Sequence, residues 1–217
     1  MGGLAMDAKK HVLLWMLLAL LWMALVPAAA LDASLSAGLG TAAAGWINEQ
    51  LLAYGEQYRE PLPPMNSVYH ARIDARIPEW TLWRFYPAIG LDLRTASRNT
   101  EGGPYSAGLL GMSGGVAASW GQRLIGELSV VLYRASFDGP AREDIAMSGW
   151  GVGGRFELTY RLPLAERLGL ELGFAGDLAS VGLADGGRDA PLGRPAVDFS
   201  GIGISIGLSY RGGRQID

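Results

Sequence analysis

The side chains in this sequence that can do chemistry are charged residues that recur at every second position. In the stretch GRFELTYRLP, Arg155, Glu157 and Arg161 alternate with a row of apolar residues. Side chains at alternate positions of a β-strand share a face, so the stretch predicts a strand with one charged and one apolar face. Because the arginine fork satisfies two carboxylate oxygens at once, residues of these types on one face favour a network of ion pairs.

The same alternation recurs along the chain and predicts eight strands. Glycine supplies 32 of the 217 residues and charged residues only 18%, a composition that favours strands and turns over helices. The predicted strands cover residues 33–43, 66–77, 82–97, 105–120, 124–137, 147–162, 168–180 and 196–210.

The connections between these strands are expected to alternate in length. Short joins are predicted around PEWT, GQR and PLAER, and longer ones around EGGP, DGPARED and ADGGRDAPLGRP. The first long join contains GWINEQLLAYGEQY, in which Ile47, Leu51, Tyr54 and Tyr58 stand at helical spacing and Gly55 is a plausible stop. We therefore expect a short amphipathic helix there, the alternative being an irregular loop with aromatic anchors.

The first 30 residues are expected to be a cleaved signal peptide. A basic start at Lys9 and Lys10 precedes an apolar run, which ends in Pro27 and three alanines, as in export signals. A retained membrane anchor is the alternative. The remaining domain, residues 31–217, has 16 basic and 20 acidic residues and no cysteine. A nucleic-acid partner, a disulfide framework and a cysteine-based metal site are therefore not expected.

The composition of the polar rows favours a membrane barrel over a soluble sandwich. These rows combine Gly, Ser and Ala with Arg, Asp and Glu, and no lysine follows Lys10. Small side chains suit the interior of a narrow barrel, and the larger ones left inside must pair because an unpaired buried charge is costly. We expect a salt-bridged, non-conducting lumen formed by Arg72, Asp74, Arg76, Asp92, Arg94, Glu127, Arg155, Glu157, Arg161, Glu171 and Asp177.

The aromatic residues are grouped by strand end, as in the interfacial girdles of membrane barrels. The end with the short joins is expected to carry Trp80, Trp83, Trp120, Tyr160 and Tyr210. A counterpart at the other end would use Trp46, Tyr69, Tyr105, Tyr133 and Trp150.

The signal KKHVLLWMLLALLWMALVPAAA, the eight alternating stretches and the closing GIGISIGLSY together resemble the small outer-membrane barrels of the outer membrane protein A and X type. The resemblance implies an all-β fold, an eight-stranded antiparallel up-and-down transmembrane barrel with its termini and short turns in the periplasm. It also implies outer-membrane lipid and the barrel-assembly machinery as partners. Family members commonly finish on an aromatic residue, whereas Tyr210 is followed by RGGRQID.

The function expected is a structural or surface-interaction role, with an extracellular partner reached through the long loops. No catalytic residue, cofactor or metal is expected. One alternative is a lipid-modifying barrel enzyme centred on His70, the only histidine after residue 30, with Ser67 as a possible nucleophile. The other is a soluble periplasmic barrel of lipocalin type.

Overall fold

The computed structural model of the protein describes residues 31–41, 45–60, 64–78, 82, 84–101, 103–139, 146–182, 184–185 and 196–212. The expected signal peptide lies outside the described residues, as do Trp80 and Trp83. Within the described part of the chain, no helix is long and apolar enough to cross a membrane.

One helix and ten strands make up the described chain. They are β1 (Asp32–Thr41), α1 (Gly45–Tyr58), β2 (Ser67–Arg76), β3 (Phe85–Thr100), β4 (Gly103–Trp120), β5 (Leu124–Asp138), β6 (Ala146–Pro163), β7 (Leu168–Gly182), β8 (Ala184–Asp185), β9 (Ala196–Asp198) and β10 (Gly201–Arg211). The two shortest strands, β8 and β9, only extend the sheet beside β6 and β7.

The other eight strands close into an antiparallel up-and-down barrel. Each pairs with its neighbour in the chain, and β1 pairs with both β2 and β10, so that Leu35 lies opposite Ile73 on one side and Leu208 on the other. Closure leaves no sheet edge along the barrel wall, because every strand has two partners. The predicted eight-stranded antiparallel barrel with one short helix is confirmed.

Tight turns and both ends of the described chain lie at one end of the barrel, called here the turn end. Residues 121–123 join β4 to β5 and residues 164–167 join β6 to β7. Gly121 has a φ of 65°, a conformation that glycine adopts without steric cost. The β2–β3 connection is also held close, since the Ile77 amide donates to the Pro87 carbonyl at 3.0 Å.

The prediction of a long join around EGGP at the opposite, loop end is wrong. β3 continues to Thr100 and β4 begins at Gly103, so only two residues separate them. The two strands pair along their whole length, from Phe85 opposite Ala118 to Thr100 opposite Gly103. The polar, glycine-rich residues expected to form a loop are therefore a hairpin that extends beyond the barrel wall.

The helix in the first long connection is present, but Gly55 does not end it. α1 continues to Tyr58, and Arg59 then takes a left-handed φ of 53° while the Glu60 amide donates to the Gly55 carbonyl at 2.9 Å. This backward bond from a left-handed residue is a usual way to end a helix. Ile47, Leu51 and Tyr54 are buried, whereas Tyr58 is exposed.

The buried face of α1 packs on inward side chains at the loop end of the barrel. Its three buried side chains join a cluster that includes Tyr105, Phe137 and other inward residues of the strands. The rings of Tyr54 and Tyr105 meet edge to face, with centroids 5.3 Å apart. The loop half of the lumen is therefore an apolar core, and the chain's charged interior lies between this core and the turn end.

Candidate functional site

The interior next to this apolar core is filled by twelve charged side chains in one connected network. All eleven residues expected in the lumen point into it, and the structure adds Asp32. The network has five arginines and seven acidic residues, namely Arg72, Arg76, Arg94, Arg155, Arg161, Asp32, Asp74, Asp92, Glu127, Glu157, Glu171 and Asp177.

Arg72 is the centre of this network. It is 1% exposed and forms ion pairs with Asp74, with Glu127 at 2.6 Å and with Glu157 at 3.6 Å. Residues of β2, β5 and β6 are thereby joined across the lumen. Loss of one partner would leave the others buried and uncompensated, so the charges stabilise the barrel only as a set.

Two arginines continue the network toward the turn end. Arg76 lies 3.6 Å from Glu127 and 3.5 Å from Glu171. Arg161 contacts Glu171 at 2.8 Å and Asp32 at 3.3 Å, and so connects these two carboxylates. Asp32, at the start of β1, was missed from the sequence because the predicted strand began one residue later. The sequence signal for an inward Asp32 is its spacing, because it stands two positions before Ser34, which also points inward.

The other arm of the network runs toward the loop end. Arg155 contacts Glu157 at 3.1 Å and Asp177 at 3.4 Å, and Arg94 contacts Asp177 at 2.7 Å. The Tyr133 hydroxyl donates to Asp177 at 3.3 Å. Tyr133 therefore marks the boundary between the charged interior and the apolar core.

Small inward residues make room for these long side chains. A Cβ at Gly90 would lie 2.6 Å from Asp74 Oδ1, 2.7 Å from Ser113 Oγ and 3.0 Å from Arg72 Nη2. Any side chain larger than hydrogen at this position would displace the centre of the network. The glycine and serine content of the polar rows is thus a packing requirement of the charged interior.

A small cavity separates the charged interior from α1. Its volume is about 40 Å³, and Ile47, Met65, His70, Arg94 and Asp177 are among the residues that line it. That volume is sufficient for one or two water molecules. The described lumen thus has no room for a lipid-sized ligand at this level.

The outer face of the barrel is apolar. Rows of outward side chains without a charge cover residues 110–120, 124–132, 152–162, 168–178 and 202–210. Their most exposed members include Leu178 at 73%, Ile204 at 65% and Val130 at 63%. Each row is nine to eleven residues long, the length with which a tilted strand crosses the hydrocarbon core of a bilayer.

Aromatic residues border this apolar face at the turn end. Trp120, Tyr160 and Tyr210 are outward and exposed. At the loop end Tyr69 and Trp150 are outward, and the Arg134 guanidinium stacks on the Trp150 ring at 5.9 Å. The expectation that Tyr105 and Tyr133 join an outer girdle is wrong, because both are buried inside the barrel. The side chain of Trp46 lies outside the described residues.

The residues considered for catalysis are not brought together. His70 lines the small interior cavity, whereas Ser67, three positions earlier on the same strand, lies on the opposite face and is exposed. Among the described residues no group of three or more His, Asp or Glu side chains could hold a metal ion.

Comparisons with known proteins give similarity only at the level of solved structures. No family model matches the chain, and no curated protein does. Neisserial surface protein A aligns at 13% identity and a TM-score of 0.48, over 84% of this chain and 97% of its own. Ail, the attachment invasion locus protein of Yersinia pestis, solved with the heparin analogue sucrose octasulfate, aligns at 8% identity and 0.47, over 83% and 97%.

A further similar structure is the outer membrane protein OprG of Pseudomonas aeruginosa, at 11% identity and a TM-score of 0.43, over 82% of this chain and 94% of that one. All three TM-scores are below 0.5. The fold assignment therefore rests on the strand pairing of this chain itself.

Proposed function

We propose that this protein is an integral outer-membrane β-barrel with a structural or surface-interaction role and a closed lumen that does not conduct ions. The observation that carries the proposal is the reversal of polarity between the two faces of the sheet. Leu, Ile, Val and Phe side chains face outward, while five arginines and seven acidic residues face inward.

The apolar outer face supports the membrane location. A soluble barrel would expose this face to water, and the apolar patches exposed by soluble monomers are usually limited to a few hundred Å². In lipid, the same side chains are solvated by acyl chains, and each of the eight described wall strands pairs with two neighbours, so the sheet itself supplies hydrogen-bond partners for the wall backbone. Export by residues 1–30 and insertion by the barrel-assembly machinery belong to the same proposal.

The filled interior supports a closed lumen. Buried ion pairs join β2, β3, β5, β6 and β7, and the apolar face of α1 covers them at the loop end. An ion would have to displace a guanidinium or a carboxylate from its partner in order to pass, which costs several kcal/mol, on the order of the penalty for one unpaired buried charge.

The loop end is the surface available to an extracellular partner. It presents α1 and the β3–β4 hairpin. The segment after α1 is tied to this hairpin, since the Arg98 guanidinium donates to the Pro64 carbonyl at 3.0 Å and the Glu101 amide donates to Glu60 at 3.1 Å. A surface held together by such hydrogen bonds suits a structural or recognition role.

Two measurements on the full chain test the proposal. Outer-membrane fractionation with gel mobility before and after boiling should place the protein in the outer membrane and show a shift on heating. In planar bilayers, the purified protein should give no discrete conductance steps. Release into the soluble periplasm would overturn the membrane location, and stepwise conductance would overturn the closed lumen.

A further inference from the structure

Arginine residues ring the turn end of the barrel. Arg84, Arg123, Arg167 and Arg211 lie there, and Glu166 is the one acidic residue of the turns that the structure describes. Among the side chains that the structure describes, the loop end has the opposite balance: six acidic residues against Arg59, Arg98 and Arg134, namely Glu49, Glu56, Glu60, Glu101, Asp138 and Asp198. The described parts of the two rims therefore differ in the sign of their charge.

Two of these arginines are held at the level of the outward aromatic residues. The Arg123 guanidinium donates to the Tyr160 hydroxyl at 3.5 Å, and the Arg167 guanidinium donates to the Tyr210 hydroxyl at 3.3 Å. Tyrosine hydroxyls of a girdle lie at the depth of lipid headgroups. The two positive charges are thus placed where a bilayer presents its phosphates.

A third arginine completes a concave site between the turns. Arg211 donates to the Gln122 carbonyl at 3.3 Å, and its own amide donates to the Arg167 carbonyl at 2.8 Å. An open cavity of about 330 Å³ lies there, at the rim of the lumen, lined by Arg123, Arg167, Arg211, Glu166 and the outward Leu168 together with the inward Arg161, Gly169 and Ser209. Cationic side chains and an exposed leucine thus border the same cavity.

We infer that this cavity is a docking site for the phosphate headgroup of an anionic glycerophospholipid in the leaflet next to the turn end. Arginine forks bind phosphate oxygens in a bidentate manner. The remaining guanidinium N–H groups of Arg123 and Arg167 are on the exposed rim, and the acyl chains would continue along Leu168 and the apolar face. The inference rests on the proposed membrane location, because the lipid reaches the site only from a bilayer.

The test compares lipid selectivity in reconstituted vesicles. Spin-labelled phosphatidylglycerol and spin-labelled phosphatidylcholine are each added to the full-length barrel in phosphatidylcholine vesicles, and electron paramagnetic resonance gives their relative association constants. The unsubstituted barrel should prefer phosphatidylglycerol, by about fivefold for each arginine that contacts the headgroup. R123Q/R167Q/R211Q should bring the two constants close to equality.

The matched control removes three charges elsewhere. R59Q/R98Q/R134Q alters arginines at or near the loop end and should keep most of the preference. Equal loss of preference in both triple variants would overturn the inference, as would an unchanged preference in R123Q/R167Q/R211Q. If that variant does not fold, R167Q alone carries the test and should lower the preference by about fivefold.

Two further readings separate the possible causes of failure. Excess inorganic phosphate at constant ionic strength should not remove the preference. If it does, the site binds free phosphate and the lipid assignment is wrong. Heat-shifted gel mobility of each reconstituted variant reports barrel insertion separately. A barrel that inserts but lacks lipid selectivity contradicts this inference alone, whereas failure of the unsubstituted chain to insert contradicts the proposed function.

Discussion

At the scale of single residues, the interior charges act as one unit because each arginine has several acidic neighbours. Glu157 is 4% exposed, accepts from Arg155 and lies 3.6 Å from Arg72. A positive charge at this position would face two guanidinium groups in a region with little water. An exposed ion pair has no such dependence, since solvent screens it.

We expect Glu157→Arg to lower the free energy of unfolding by at least about 3–5 kcal/mol, because it removes a partner and adds a like charge. The matched control is Glu56→Arg on the exposed side of α1, which should cost only about 0–1 kcal/mol. Urea unfolding in lipid vesicles, followed by tryptophan fluorescence, measures both. A neutral Glu157→Arg would mean that this side chain does not face the lumen.

Arg72→Met should destabilise the barrel by about 3–5 kcal/mol, since it leaves Asp74, Glu127 and Glu157 with one partner fewer. Adding Asp74→Asn removes one of the stranded charges and should recover about 0.5–3 kcal/mol. The same unfolding measurement on the two single variants and the double variant gives the coupling. Additive effects would show that Arg72 and Asp74 do not interact.

At the scale of elements, the strands were predictable to a much greater extent than the loop end. Between the turn end and Tyr133, a row of charged, polar or small residues alternates with an apolar row on most strands, so one face of each strand can be assigned to the interior. Beyond that level the polarity of the strands is reversed: the lumen is filled by Ala107, Phe137 and Val181, whereas the outward row of β5 becomes polar at Ser136 and Asp138. Because the apolar row faces inward at this level, apolarity no longer marks the lipid side, and the prediction that Tyr105 and Tyr133 belong to the outer girdle fails for this reason.

The helix and the hairpin show a second limit of sequence patterns. Gly55 was expected to stop α1 because glycine is common at helix ends, but the buried positions of Leu51 and Tyr54 favour continuation until Tyr58. The EGGP stretch has the composition of a loop, and strand pairing on either side of it makes it a tight turn. Composition does not reveal how far two strands continue to pair.

Adjacent leucines in α1 give a direct test of how the helix is held. Leu51→Asp should release α1 from the loop end, since Leu51 is 1% exposed within the apolar core, and burying a carboxylate there is costly. Leu52→Asp is the control, because Leu52 is 61% exposed. Hydrogen exchange should show loss of protection in α1 for Leu51→Asp alone.

In the same pair of variants, gel mobility should still shift on heating, because the barrel wall does not depend on the helix. Bilayer conductance should stay absent in both, since the ion-pair network lies below α1. Conductance in Leu51→Asp would show that the helix, and not the charged network, closes the lumen. Equal exchange in the two variants would contradict the packing of α1.

At the scale of the whole molecule, the proposed membrane location depends on the apolar outer face of the barrel. The face is continuous around the barrel, is bordered by Trp120, Tyr160 and Tyr210 at the turn end, and gives way to Ser136 and Asp138 on β5 at the loop end. Val130 and Ser136, which lie on the outward face of β5, can therefore be used to test membrane depth along one strand.

Val130→Arg should lower the stability of the reconstituted barrel by about 2–4 kcal/mol, because Val130 lies within the apolar row of β5. Ser136→Arg, six residues nearer the loop end on the same outward face, should cost about 0–1 kcal/mol. Both are read by unfolding in vesicles. Equal losses of stability would mean that Val130 and Ser136 lie in the same environment, either lipid or water. That result would contradict the membrane depth assigned to β5.

The most direct test of this reversed polarity is a nitroxide scan along β5. Because the chain has no cysteine, the spin label attaches only to the cysteine that each substitution introduces. Single substitutions from Glu127→Cys to Leu132→Cys, spin-labelled in vesicles, would be measured against oxygen and a water-soluble nickel complex. We predict a two-residue period, with high oxygen accessibility at Leu128, Val130 and Leu132, and low accessibility to both reagents at Glu127, Ser129 and Val131. Access of the nickel complex to Leu128, Val130 and Leu132 would show that the apolar face lies in water and would contradict the account.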